Sequence, residues 1–443
     1  MKVCLISLGC DKNLVDSEYM MGLLRDAGHT FTDALEEAEA IVVNTCCFIG
    51  DAKEESIQTI LETAQYKTTG ALRKLVVTGC LAERYTEEIR SQLPEVDAIL
   101  GTASYEDLPA ALQSPSGYVS KRELSYLPLP KTGRVSSAGA YVSYLKIAEG
   151  CNKRCTYCVI PGVRGGYRSV PMERLLEEAE TLAKQGTREL ILVAQETTLY
   201  GLDLYGRKAL PELLRKLCRI EELSWVRLMY CYPEEITDEL IEVLREEPKL
   251  CKYLDLPIQH ASDTILRAMG RKTTRAEITA RIARLREAVP GIAIRTSLIV
   301  GFPGETEEDV ETLLAFLEEQ RLERVGVFLY SKEEGTPAAK MKPQVPKRVK
   351  EQRRRRAMLL QQRISAEKGR ALVGGVEQVL VEGYLPDEEV YIGRTYRDAP
   401  GVDGNVFFPS DASFLSGDIV PVYITEAKEY DLIGEVAAHE FAE

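Results

Sequence analysis

Three cysteines stand within eight residues in the run CNKRCTYC, at Cys151, Cys155 and Cys158. Thiolates are the ligands of iron–sulfur clusters and of structural zinc. A structural zinc site wants four protein ligands, and no fourth Cys or His lies nearby in the sequence. Three thiolates on one tight loop suit instead a 4Fe–4S cluster with one iron left open to a small molecule. A second set is dispersed: Cys10, Cys46 and Cys80 each follow a short run rich in Val and Ile. If those runs are parallel strands, the three cysteines share the carboxyl edge of one sheet, where open α/β folds bind ligands. By spacing alone, a second metal site and three unrelated loop cysteines both remain open. Cys4, Cys218, Cys231 and Cys251 fall inside strand or helix patterns and read as small buried hydrophobes. Cys47, beside Cys46, should face elsewhere.

The elements that must position these residues follow from apolar spacing. Residues 2–8, 40–45 and 74–78 read as buried parallel strands, with helical spacing over 14–27 and 52–66 between them, a βαβαβ pattern. Pro128, Pro130, Gly133 and Ser136–Ser137 mark a linker. A second βα series has candidate strands at 141–147, 189–194, 225–229, 253–257, 292–300 and 324–329, separated by helical stretches such as 172–185 and 307–319. About six repeats in roughly 200 residues predict a partial (β/α)6 barrel rather than a full eight-fold one. After Gly369 alternating segments at 376–381, 389–392, 406–408 and 418–424 predict a small antiparallel β-barrel. The expected fold class is α/β, divided as residues 1–115, a linker over 116–136, a core over 137–367 and the barrel over 370–438.

Composition sets the outer bounds. The 443 residues exceed what one hydrophobic core supports, about 250–300. With 45% apolar and 28% charged residues, the chain is neither disordered nor collagen-like. No apolar stretch approaches the ~18–20 residues of a bilayer span, and Asp11 and Lys12 cut short a run that begins like a signal peptide. A cytoplasmic protein without membrane association is expected, so the eleven cysteines are not a disulfide framework. Only His29, His260 and His439 are histidines. The net charge of −13 is unevenly spread. From Ala371 onward fifteen carboxylates face only Arg394, Arg397 and Lys428. A basic run over 347–363, with Arg353–Arg356 consecutive, reads as a solvated helix face or as a place where ribosomal RNA docks.

The loop CxxxCxxC after the first strand of a β/α series resembles the signature of radical S-adenosylmethionine (SAM) enzymes. The segments SLGCDKNLVDSE at Ser7–Glu18, NTC at Asn44–Cys46 and TGC at Thr78–Cys80 resemble the N-terminal domain of methylthiotransferases, and the C-terminal barrel resembles their TRAM module. The resemblance covers essentially the whole chain. It implies two 4Fe–4S clusters, an auxiliary one on Cys10, Cys46 and Cys80 and a SAM-binding one on Cys151, Cys155 and Cys158. SAM would serve as methyl donor and radical source, with a flavodoxin- or ferredoxin-like electron donor. SAM contacts are implied for Tyr157, Gln195, Gly301 and Glu305. The turn LIVGFPGE at Leu298–Glu305 is, taken alone, equally a plain βα connection. His260 reads as a structural histidine more readily than as a substrate contact. Relatives usually continue the cluster loop with a further arginine where this chain has Val170.

Within the family, QETTLYGLDLY from Gln195 and RDAPGVDG at Arg397–Gly404 resemble the RimO-type branch, which modifies the β-carbon of an aspartate in small-subunit ribosomal protein S-twelve. The alternative is a tRNA adenosine methylthiotransferase. An acidic terminal module repels a polyanion and attracts a basic ribosomal protein, so stable tRNA binding is not expected. A non-catalytic iron–sulfur carrier would leave the open iron unexplained.

Overall fold

The computed structural model describes residues 1–136, 139 and 141–437; Ser137, in the expected linker, and His439 lie outside the described residues. The first unit is a parallel sheet in the order Thr30–Phe31, Lys2–Ser7, Ala40–Thr45, Lys74–Gly79, Ala98–Leu100 and Tyr118–Ser120. The three strands read from sequence form its centre, and helices Asp11–Asp26 and Gly50–Ala64 connect them. The outer strands are two or three residues long, too short to show a period. Tyr118–Ser120 lies within the stretch read as linker, so the sheet runs on past residue 115. The later part of that stretch is pinned as well. Arg134 is buried, pairs with Glu18 and Glu178, and donates to the Tyr144 carbonyl at 2.6 Å. A Cβ at Gly22 would lie 2.2 Å from the Gly133 carbonyl oxygen, so only glycine admits this close crossing.

The second unit is the expected partial barrel. Val142–Lys146, Glu189–Val193, Trp225–Leu228, Leu250–Asp255, Ala293–Val300 and Arg324–Leu329 pair in that order, all parallel. Leu145, Leu192, Leu228, Leu254 and Leu298 belong to the core that joins these strands to the surrounding helices. A small antiparallel pair, Ala148–Glu149 with Arg168–Ser169, brackets the Cys151–Cys158 loop.

The third unit is a closed barrel in the order Val376–Leu385, Val390–Thr395, Val406–Phe408, Leu432–Val436 and Ile419–Ala427. One expectation is corrected here: Val406–Phe408 and Leu432–Val436 pair in parallel, so the barrel is not wholly antiparallel. Five strands closed in a ring cannot alternate direction all the way round. This barrel docks on the partial barrel through buried charge. Glu189, the first residue of its strand, sits between Arg227 (Nε–Oε1 2.6 Å) and Arg394 (NH2–Oε2 2.6 Å), all at most 1% exposed. Arg227 also donates to the Tyr396 carbonyl at 2.8 Å, and Tyr253 donates to Asp403 at 2.8 Å.

The basic run belongs to the helix Lys347–Arg370, which lies beside the acidic helix Glu307–Gln320. Arg356 pairs with Glu307 and Glu311, Arg363 with Glu318, and Arg353 is buried against Glu305 at 3.0 Å. Part of its charge is paired within the molecule, Arg353 buried and Arg356 and Arg363 at the surface. No helix among the described residues is long and apolar enough to cross a membrane.

Candidate iron–sulfur and SAM site

Each dispersed cysteine leaves its strand through a turn that draws it toward the others. Gly9 and Gly79, directly before Cys10 and Cys80, have φ of 92° and 89°, a region that favours glycine. A Cβ on Gly9 would stand 2.7 Å from Cys46 Cβ, and one on Gly79 would stand 2.3 Å from Asn44 Oδ1. Cys10 then caps the helix Asp11–Asp26, and Cys80 opens the helix Cys80–Arg84. Asn13, one turn into the first of these, donates to the carbonyls of Leu8 at 2.9 Å and Thr45 at 3.0 Å. Its carbonyl accepts from Asn44 Nδ2 at 2.9 Å. Asn13 thus ties the Cys10 turn to the strand that delivers Cys46. The three cysteines share one sheet edge. Burial pushes the Cys80 thiol up to about 12 and raises Cys46, so both are neutral until a positive group arrives to hold the thiolate.

The compact set is arranged on a loop held from both ends. Cys151 N donates to the Gly165 carbonyl at 3.1 Å, Lys153 N approaches Cys151 Sγ at 3.4 Å, and Cys158 N donates to the Cys155 carbonyl at 3.1 Å. Thr156 N donates to the Met269 carbonyl at 2.9 Å, fixing the middle of the loop. Burial raises Cys151 to about 11 and Cys158 to about 12. Among the described residues, no three Cys, His, Asp or Glu side chains close round a single ion. A four-iron cluster spreads its ligands more widely than one ion does, and thiols are the ligand type it takes.

Between the two sets lies a buried ionic group that sequence reading passed over. Lys146 pairs with Asp16 and with Glu149 at 2.8 Å; Arg164 pairs with Asp16 at 2.7 Å and Glu149 at 3.1 Å. Arg164 also donates to Asn13 Oδ1 and brings Nε to 3.4 Å from Cys80 Sγ. The available signal was Asn13, Asp16 and Ser17 at helical spacing after Cys10, one face of a helix.

Several orphaned polar atoms lie near the compact loop. Glu196 Oε2, Tyr167 Oη, and Arg271 Nε and NH1 are buried without a hydrogen-bond partner. Burial lifts the Glu196 carboxyl to about 7, against a weaker opposing pull from Thr198 and Lys153. Arg271 lies over the Tyr232 ring at 4.3 Å and feels Tyr157 and Cys155. A carboxylate with a free oxygen and a guanidinium with free N–H groups beside three thiols fit a zwitterionic amino-acid cofactor such as SAM.

The residues named for SAM contact fare differently. Gln195 is tied to the loop base, its Oε1 accepting from Gly150 N at 2.9 Å and its Nε2 donating to Glu149 at 2.8 Å. Tyr157 stands edge-on to Phe302 at 6.5 Å, beside the glycine turn. Gly301, at φ 75°, closes on Glu305, which accepts from Gly301 N at 2.6 Å and Phe302 N at 3.1 Å while its other oxygen holds Arg353. Both Glu305 oxygens are therefore committed within the protein, and the residue shapes the turn rather than reaching into space. His260 is fully buried and held neutral by burial, at about 4, with Nδ1 accepting from Ser262 N at 2.9 Å and Nε2 without a hydrogen-bond partner, 3.8 Å from Glu305 Oε2. Val170 packs in the barrel core.

Comparison with known proteins agrees with the three units. The radical SAM superfamily model matches residues 145–317, a model for an uncharacterized protein family, UPF0004, matches 2–101, and a TRAM domain model matches 373–437. "Ribosomal protein uS12 methylthiotransferase RimO" of Lachnoclostridium phytofermentans is 58% identical over 98% of this chain and 99% of its own. The protein of the same name from Geobacter sulfurreducens is 50% identical over 98% of each. The chain belongs to the RimO family. The RimO relatives align through the sheet edge of Cys10, Cys46 and Cys80, the compact loop and the barrel alike, since coverage is nearly complete. Among solved structures, the radical SAM methyltransferase TsrM from Kitasatospora setae superposes with a TM-score of 0.54 at 16% identity, over 85% of this chain and 80% of that one. OxsB, a cobalamin-dependent radical SAM enzyme, gives 0.52 at 13% identity over 76% and 54%. At such identities these likenesses show the fold.

Proposed function

We propose that this chain is the radical SAM methylthiotransferase that places a methylthio group on the β-carbon of an aspartate in small-subunit ribosomal protein uS12. The observation that carries it is the meeting of two three-cysteine sets across one buried ionic group, in a chain collinear with proteins named for that activity. Cys151, Cys155 and Cys158 would hold the SAM-binding 4Fe–4S cluster, and Cys10, Cys46 and Cys80 the auxiliary one. When bound, the clusters and SAM supply a carbon-centred radical and a methylated sulfur, chemistry beyond acid–base side chains.

The protein's own part is placement. Gln195 and Glu149 brace the loop base at Gly150. Glu196 has a carboxyl with a free oxygen, which an incoming ammonium would hold ionised, and Arg271 has free N–H groups to receive a carboxylate. The acidic barrel is read as the docking surface for a basic protein rather than for RNA. Three adjacent carboxylates without an ion pair among the described residues, Asp387, Glu388 and Glu389, stand at one of its hairpins, all exposed.

Mass spectrometry of uS12 from cells lacking this gene is the direct test: loss of a methylthio increment on one aspartate is expected. An unchanged uS12 with loss of methylthio-adenosine from tRNA would replace this reading with the tRNA one. Anaerobic reconstitution should give about eight irons per chain, and about four after Cys10, Cys46 and Cys80 are replaced by Ala.

A further inference from the structure

Arg164 is the last residue of the short helix Ile160–Arg164, six positions after the final cysteine of the compact loop, yet its side chain reaches the other cysteine set. It is fully buried, with Nε 3.4 Å from Cys80 Sγ and NH2 on Asn13 Oδ1. Asp16 at 2.7 Å and Glu149 at 3.1 Å fix its remaining arm. Lys146 shares both carboxylates, so two cations and two anions balance locally. What remains directed at Cys80 is one N–H donor from a cation that never leaves its charged state.

We propose that Arg164 is a positioning residue that sets the reduction potential of the auxiliary cluster, by donating to the Cys80 thiolate, and that locks this cluster to the loop of the SAM-binding one. The inference rests on the two-cluster reading above. A hydrogen bond to a ligating sulfur stabilises the more negatively charged, reduced state of a cluster, so it raises the potential. Asp16 opposes this by neutralising the guanidinium, so the two residues pull the potential in opposite directions.

The test uses the full chain carrying Ala at Cys151, Cys155 and Cys158, reconstituted anaerobically so that the auxiliary cluster alone remains. Its midpoint is read by EPR after redox poising. In that background Arg164→Lys keeps a cation for Asp16 and Glu149 but loses the donor at Cys80, and should lower the midpoint. Asp16→Asn leaves the donor and frees its charge, and should raise it. Iron should stay near four per chain in each. Opposite shifts support the assignment, because mere loosening of the site moves both variants the same way. Unchanged midpoints, or shifts of equal sign, overturn it. If Arg164→Lys fails to retain iron, Asp16→Asn decides alone: an unchanged or lowered midpoint overturns the proposal. No iron in the background protein overturns the two-cluster reading, and the inference with it.

Discussion

Glu189→Gln is the substitution whose cost can be worked most directly from the structure. The carboxylate is fully buried and faces two guanidiniums, Arg227 at 2.6 Å and Arg394 at 2.6 Å. Burial alone would push its carboxyl up, but the two cations outweigh burial and hold it below the ordinary carboxylate value. Replacing it with a neutral amide leaves both guanidiniums buried without their shared anion. Breaking a buried pair in this way costs about 3–5 kcal/mol. At about 2–4 °C per kcal/mol for a unit of 150–250 residues, melting should fall by about 6–20 °C. Because Arg394 belongs to the C-terminal barrel and Glu189 to the partial barrel, the loss should show as faster amide exchange at the interface between them. The acid limb should change too. A glutamate lowered in the folded state contributes stability that is present above its unfolded value, about 4.3, and is lost as pH falls through the folded one. Glu189→Gln should flatten that limb. Reconstituted iron should be unchanged, since the network lies away from both cysteine sets. A melting temperature within about 1 °C of the parent would refute the reasoning. Converting all three charged residues to Met should recover part of the loss, since apolar side chains need no counter-charge.

Three further outcomes are expected. Glu196→Gln should weaken SAM binding about tenfold or more, as a charged hydrogen bond of about 1.5–3 kcal/mol is lost; equilibrium binding to the reconstituted enzyme checks it, and unchanged affinity removes Glu196 from the cradle. Glu305→Gln should loosen the Gly301 turn and raise the SAM dissociation constant severalfold while leaving iron unchanged, because one acceptor for two backbone N–H groups is weakened. Neutralising Asp387, Glu388 and Glu389 together should slow association with uS12 at low salt and converge with the parent at high salt, where exposed charges are screened; stopped-flow mixing at two ionic strengths measures it, and parallel salt curves would refute docking on this hairpin. Glu382 is left intact in that variant because it pairs with Arg394 at 2.6 Å.

The central strands were legible because each is a short, mostly apolar run carrying Val or Ile, wholly buried at Ala40–Thr45, and the partial barrel because helix and strand periods alternate. The short strands Ala98–Leu100 and Tyr118–Ser120 were not, since three residues carry no period and each pairs only because the strand before it in the sheet, Lys74–Gly79 and then Ala98–Leu100, offers an open edge. Leu432–Val436 escaped for a related reason: Gly434 interrupts it, and a Cβ there would lie 2.5 Å from the Tyr423 carbonyl oxygen. The six cysteines stood out because ligand type and spacing are local properties. Arg164, Asp16 and Lys146 did not, because their meaning comes from partners 130 and 148 residues apart in sequence. The acidic tail was legible only as a sum. The structure separates carboxylates spent on Arg394, Arg324 and Arg295 from those left at the hairpin tip.

That separation bears on why so much charge is buried between the units. Buried ion pairs are weak sources of stability, because desolvation consumes most of the Coulombic gain. An apolar seam would join the N-terminal sheet to the barrel as well, but it would tolerate sliding. Charges with fixed partners do not: moving Arg164 away from Asp16 and Glu149 leaves its own buried cation unpaired and two carboxylates on Lys146 alone. The same holds for Arg134 between Glu18 and Glu178. Both devices start from the middle of the helix after Cys10, at Asp16 and Glu18, and reach different parts of the second unit: Glu149 at the base of the compact loop, and Glu178 on the helix Met172–Lys184. Together they restrain how the N-terminal sheet sits against the partial barrel. On the two-cluster proposal a group must pass between the two cysteine sets, and that needs their separation held more than it needs the extra stability an apolar seam would provide.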